Sequence, residues 1–151
     1  GGIIGNGDIT MDWIVHVLKR TVDTQYRTKA DRRHTFLAGS SMGGLMTLYG
    51  LLAYPEVFSR GAALSPSLWI DAEKVKALIR HARVKRNTVL YMDYGALEFA
   101  DHPHSRSLFA EVSALLIEKR VLLNSRIVPR GTHCEASWEK QIPFFMKTLF
   151  E

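Results

Sequence analysis

The sequence predicts an α/β fold, a mostly parallel sheet flanked by helices, and three observations predict it. Four short apolar runs alternate along the chain with longer segments whose apolar residues recur at helical spacing. The short runs lack polar alternation, as do strands covered on both faces. Glycine or proline marks most of the joins between the two kinds of segment.

The elements follow in order. Gly1 to Gly7 holds four glycines and an asparagine and reads as loop. A helix is predicted from Met11 to Gln25, capped by Thr10 or Asp8, with Ile14, Val17, Leu18 and Val22 at helical spacing. Tyr26 to Arg33 is a charged connector. Thr35 to Ala38, closed by Gly39, reads as a buried strand, and Gly43 to Ala53 as a helix with Leu45, Leu48, Tyr49 and Leu52 on one side, ended by Pro55. Gly61 to Leu64 is a second strand, broken by Ser65-Pro66-Ser67. Asp71 to His81 is an amphipathic helix through Val75, Leu78 and Ile79. Thr88 to Tyr91 is a third strand, running into Asp93-Tyr94-Gly95. Ser105 to Lys119 is a helix with Leu108, Val112, Leu115 and Leu116 inward. Arg126 to Val128 is a fourth strand, and Ser137 to Phe150 a last helix.

At 151 residues the chain is long enough for a single domain with its own core, and it is read as one domain over 1–151. Its longest apolar runs are short and interrupted, so no transmembrane helix and no membrane partner are read from it. No basic segment followed by an apolar stretch opens the chain, so a cytoplasmic location is the expectation. The single cysteine, Cys134, excludes an intramolecular disulfide and a zinc site built on two or more cysteines. The formal net charge is +5, with the densest basic stretch at Arg80, His81, Arg83, Lys85 and Arg86. No aromatic residue is interleaved there for base stacking, so it reads as a solvated helix end and no nucleic-acid partner is expected.

Gly39-Ser40-Ser41-Met42-Gly43 stands between a predicted strand and a predicted helix. This is the G-x-S-x-G pattern in the context that its chemistry needs. The serine must project from a very tight turn, and the residues two before and two after it, Gly39 and Gly43, are expected to be small because side chains there would collide. The helix N-terminus then faces the serine and favours developing negative charge, with the Met42 N–H as an oxyanion donor. A serine hydroxyl also needs a base, and the base an orienting acid, in the chain order serine, acid, histidine. Of six histidines only His133 follows the last strand; His16, His34, His81, His102 and His104 are placed elsewhere. Asp93, Glu98 and Asp101 follow or end the third strand, and spacing favours Glu98. Glu135 is near His133 but in the wrong chain order, and Cys134 reads as a bystander thiol.

Ala38 to Leu45, Tyr54-Pro55-Glu56-Val57-Phe58 and Leu64 to Trp69 resemble the esterase D family of α/β-hydrolases. So do Tyr26-Arg27-Thr28 with Asp31-Arg32, Tyr94 to Glu98, and Gly131-Thr132-His133 followed by Ser137-Trp138. That family includes S-formylglutathione hydrolases, feruloyl and acetyl-xylan esterases, ferric-siderophore esterases and mycolyltransferases. The resemblance implies an α/β-hydrolase fold with Ser41 as nucleophile, His133 as base and Glu98 as acid, where several members carry aspartate. It places Ser65 to Trp69 and Trp138 near the mouth of the site, with Trp69 and Trp138 as substrate-binding residues. It implies a serine carboxylic ester hydrolase with an acyl-enzyme intermediate, no metal or organic cofactor, and a small-molecule or carbohydrate-linked ester as substrate. An acyltransferase would use the same side chains. Family members are considerably longer, so the resemblance also implies further strands before this segment, on the order of 100 residues, with the loop that supplies a second oxyanion donor. An exposed sheet edge could then pair with a second copy, which makes a homo-oligomer or a non-catalytic interaction module the competing expectation.

Overall fold

The structure is a computed structural model and describes residues 5–98 and 104–151. Four parallel strands form one sheet in the order β1-β2-β3-β4: β1 (Phe36–Ser40), β2 (Arg60–Leu64), β3 (Val89–Gly95) and β4 (Leu122–Val128). The crossovers carry α3 (Met42–Ala53), α4 (Ala72–His81) and α5 (Ser105–Glu118). Before β1 come α1 (Gly7–Trp13), a π-helical turn (Ile14–Leu18) and α2 (Lys19–Gln25); after β4 come α6 (Glu135–Glu139) and α7 (Ile142–Phe150).

The period of two in β3 sorts its side chains between two cores. Leu90, Met92 and Tyr94 join Leu48, Leu51 and Leu52 of α3, Val75 and Ile79 of α4, and Phe109, Val112 and Leu116 of α5. Tyr91 points to the other face and packs with Leu64, Leu149 and Phe145 beneath α7. The sheet is thus covered on both faces, as expected of apolar parallel strands.

Several boundaries move. The first helix begins at Gly7, with Asn6 as its cap residue, and neither Asp8 nor Thr10 caps it; the Thr10 hydroxyl instead donates back to the Asn6 carbonyl, at 3.0 Å. The π turn shifts the helical register, so Met11 and Val15 are buried while Val17, Leu18 and Val22 are exposed. Asp71 caps α4 by accepting from the Lys74 N–H, at 3.1 Å. β3 runs on to Gly95 through the buried Asp93, and β4 starts at Leu122 because Val89↔Leu122 already pair. The polar Asn124 and Ser125 conceal that start, yet on an edge strand they have solvent on one side. The last helix is two helices: Pro143 lacks an N–H and sits in the first turn of α7, where none is needed.

β1 passes into α3 through one residue, Ser41, at φ 55 and ψ −118. A Cβ on Gly39 would lie 2.6 Å from the carbonyl carbon and oxygen of Gly43. The reciprocal expectation for Gly43 fails, because a Cβ there would meet nothing within 4 Å of the described residues. The second tight glycine is Gly44, whose Cβ would lie 3.0 Å from the Leu64 carbonyl oxygen and 3.1 Å from Pro66 Cα. The elbow therefore needs a bare backbone where the helix faces the preceding strand and the next loop.

Two outcomes test this packing in urea melts. Leu90 is 0% exposed, and Leu90→Ala is expected to cost about 2–5 kcal/mol. Ile117 is 61% exposed, and Ile117→Ala should change stability by less than about 0.5 kcal/mol; similar losses in both would refute this core. At the elbow, Gly39→Ala should destabilise by about 1–3 kcal/mol. Gly43→Ala should be neutral or gain up to about 1 kcal/mol from helix propensity, and the opposite ranking would refute the one-sided contact.

Candidate active site

The parallel ladder extends past the strand ends and lays three loops side by side. The Ser41 N–H donates to the Leu64 carbonyl at 2.9 Å, the Ser65 N–H to the Asp93 carbonyl at 3.1 Å, and the Ala96 N–H to the Val128 carbonyl at 2.9 Å. Ser41, Ser65 and Glu98 are thereby brought to one end of the sheet. The fourth loop, after β4, closes on the third by backbone contact. A Cβ on Gly95 would lie 2.5 Å from the carbonyl carbon of Gly131, and the Leu97 N–H donates to the Gly131 carbonyl at 3.0 Å. His133 follows two residues later.

Ser41, His133 and Glu98 then form one hydrogen-bonded chain. His133 Nε2 lies 2.8 Å from Ser41 Oγ, and Nδ1 lies 2.6 Å from Glu98 Oε2. A carboxylate oxygen accepts, so Nδ1 carries the proton in the neutral ring and Nε2 is left as the acceptor facing the serine. The Glu98 side chain is 3% exposed and that of His133 41%. Glu98 Oε1 accepts twice more, from the Gly95 N–H at 2.8 Å and from the Ser65 hydroxyl at 2.7 Å.

The other candidates go elsewhere. Asp93 is buried in β3, where it accepts from the Tyr91 hydroxyl at 2.7 Å and from the Ser65 N–H at 3.1 Å. Burial pushes its carboxyl above the usual carboxylate range, partly offset by those two hydrogen bonds. Burial likewise raises the Tyr91 phenol, and the bond to Asp93 adds to it. Asp101 and His102 lie outside the described residues. Glu135 begins α6. His16 pairs with Asp12, His34 with Asp31, and His81 lies against the Ala77 carbonyl. His104 caps α5, where its carbonyl accepts from Ser107 Oγ. A hydrogen bond with Thr132 lowers the Cys134 thiol. Among the described residues no group of three or more His, Cys, Asp or Glu could hold a metal ion, and no helix is long and apolar enough to cross a membrane.

Met42 opens α3 directly after Ser41. Trp69 lies half-exposed in a 3-10 turn (Leu68–Ile70). Trp138 donates its indole N–H to Ser65 Oγ at 3.0 Å and packs edge-on against His133, with 5.0 Å between ring centroids. Ser65 and Ser67, which the resemblance placed near the mouth of the site without a role, touch its side chains directly. Ser65 sits beneath Glu98, and Ser67 Oγ lies 3.3 Å from Ser41 Oγ, its N–H donating to the Ser41 carbonyl at 3.1 Å. With β2 between β1 and β3 in the sheet, the loop Ser65-Pro66-Ser67 lies between the loops after those two strands.

The chain is 35% identical over 71 residues to the iron(III) salmochelin esterase of Escherichia coli O6:H1, covering 46% of this chain and 17% of that protein. Among solved structures it is similar to an IroE-like serine hydrolase from Shewanella oneidensis. The TM-score is 0.76 at 20% identity, over 96% of this chain and 47% of that one. It is also similar to the S-formylglutathione hydrolase of Staphylococcus aureus, with a TM-score of 0.72 at 18% identity, over 100% of this chain and 67% of that one. The likeness to these structures concerns the fold, an α/β-hydrolase-type sheet flanked by helices. The chain thus spans less than half the length of the salmochelin esterase and of the Shewanella hydrolase. The model of one family, described as "Putative esterase", matches residues 8–147, and the chain belongs to that esterase family.

Proposed function

We propose that this chain carries the nucleophile, base and acid of a serine carboxylic ester hydrolase acting through an acyl-enzyme. The observation that carries the reading is the continuous chain Ser41 Oγ–His133–Glu98, at 2.8 and 2.6 Å. In this mechanism His133 Nε2 takes the Ser41 proton as Oγ attacks the ester carbonyl. The carbonyl oxygen gains charge beside the N-terminus of α3, where the Met42 N–H receives it. Glu98 holds the imidazolium by its Nδ1–H, and His133 then protonates the departing alcohol. Water, deprotonated by His133, attacks the acyl group and restores Ser41.

The substrate class that follows is a small-molecule or carbohydrate-linked ester, with the half-exposed Trp69 as a wall against it. The 35% identity over 71 residues to the salmochelin esterase favours a siderophore ester within that class. An acyltransferase would differ only in replacing water by an alcohol.

The test is labelling with a fluorophosphonate probe, located by peptide mass spectrometry, beside turnover of p-nitrophenyl acetate. Ser41 is expected to carry the label, and both Ser41→Ala and His133→Ala to lose it. Turnover should fall on the order of 10⁴-fold or more in each. Labelling or turnover that survives in folded Ser41→Ala would overturn the reading.

A further inference from the structure

Beneath the acid and base lies a buried polar arrangement that the proposed mechanism does not use. The indole N–H of Trp138 can only donate, and it donates to Ser65 Oγ at 3.0 Å. The Ser65 hydroxyl hydrogen is therefore left for its other neighbour, Glu98 Oε1, at 2.7 Å. Ser65 is itself fixed. Its backbone sits at φ 41, and its N–H meets both the carbonyl and the side-chain Oδ1 of Asp93, each at 3.1 Å. Asp93 is 1% exposed. The ring of Trp138 meanwhile stands against His133 at an interplanar angle of 84°. One side chain thus touches both partners of the acid–base pair, the base directly and the acid through one hydroxyl.

We propose that Ser65 and Trp138 are a positioning pair: the indole N–H sets the direction of the Ser65 hydroxyl, which holds the Glu98 carboxylate, while the indole ring braces His133. The proposal rests on the serine-hydrolase reading. Neither side chain meets the ester. Both act through Glu98 and His133, so their loss should reduce kcat and leave KM nearly unchanged. Because the indole acts on Glu98 only through Ser65, the N–H and the hydroxyl should behave as one unit.

The experiment compares Ser65→Ala, Trp138→Phe and the double variant in the full chain. Trp138→Phe keeps a ring against His133 and removes only the N–H. Ser65→Ala is expected to lower kcat for p-nitrophenyl acetate by roughly 10- to 100-fold, the worth of a hydrogen bond to a charged group, and Trp138→Phe, which removes a bond to a neutral hydroxyl, by roughly 3- to 10-fold. KM should change by less than about twofold, and the double variant should be no worse than the poorer single one. Circular dichroism melts establish that each variant is folded. A second readout needs no turnover: the proton between His133 Nδ1 and Glu98 should resonate far downfield in the ¹H NMR spectrum. Both single variants should shift or broaden it, and the control Trp13→Phe should leave it in place. Losses that multiply in the double variant would overturn the pair. So would a KM rise at constant kcat in Trp138→Phe, which would make the indole a substrate wall, or a downfield proton indifferent to both changes. Turnover surviving in Ser41→Ala would instead sink the hydrolase reading, while the downfield proton would still report on the pair.

Discussion

Every contact in the site descends from the register of a parallel sheet. Parallel strands place consecutive loops at one end, and the ladder bonds from Ser41 to Leu64, from Ser65 to Asp93 and from Ala96 to Val128 carry that register into the loops. Ser41, Ser65 and Glu98 are thus neighbours before any side chain interacts. The Gly95–Gly131 contact adds the fourth loop at backbone distance, and a methyl group at either position would separate Glu98 from His133. Side-chain hydrogen bonds near 2.6–2.8 Å are then the consequence of a backbone arrangement. Such bonds need little further ordering of side chains to form.

The strain in this arrangement lies on residues with side chains. Ser41, Ser65 and Arg130 all sit at positive φ, and no described glycine does. Each such residue costs on the order of 1–3 kcal/mol. The offset is visible at the two serines. Ser41 is bonded at its N–H and twice at its carbonyl, by Leu45 and Ser67, and Ser65 is bonded to Asp93. The glycines provide room, not conformational freedom. That explains why Gly39 and Gly44 are tight while Gly43, which the G-x-S-x-G pattern singles out, faces open space.

Much of this was legible in the sequence because it rests on local signals. Alternating apolar runs gave the four strands, and the turn between the first strand and Gly43 pointed to Ser41. Chain order selected His133 from six histidines, and three-residue spacing from Gly95 favoured Glu98 over Asp93. What escaped depends on the third dimension. Asn124 and Ser125 look like loop until the strand is known to be an edge with one wet side. Asp93 looks like a loop charge until Tyr91 and Ser65 are seen to enclose it. Pro143 could have been read as the start of a new helix, since the first turn is where proline fits. No sequence pattern says that the indole of Trp138 reaches back 73 positions to Ser65.

The links of the site differ in how far along the chain they reach, and that decides which loop is the sensitive one. Ser41 and Ser67 are 26 residues apart and Ser65 and Glu98 are 33, each pair joined through the next crossover of the sheet. Ser41 and His133 are 92 apart. Closing that span costs more chain entropy than closing the shorter ones, though the increase is slow with length. His133 lies in no strand and no helix, and its side chain is the one of the three exposed to solvent by two fifths. Its position depends on Gly131 against Gly95, the Ser137 hydroxyl accepting from the Thr132 N–H at 3.1 Å, and the ring of Trp138. Glu98 is fixed from beneath by buried donors, and His133 is fixed from the side by the turn into α6. For the base proposed above, which gives and takes a proton within one cycle, that asymmetry is the useful one: a rigid anion behind it, and a ring held by its edges in reach of water.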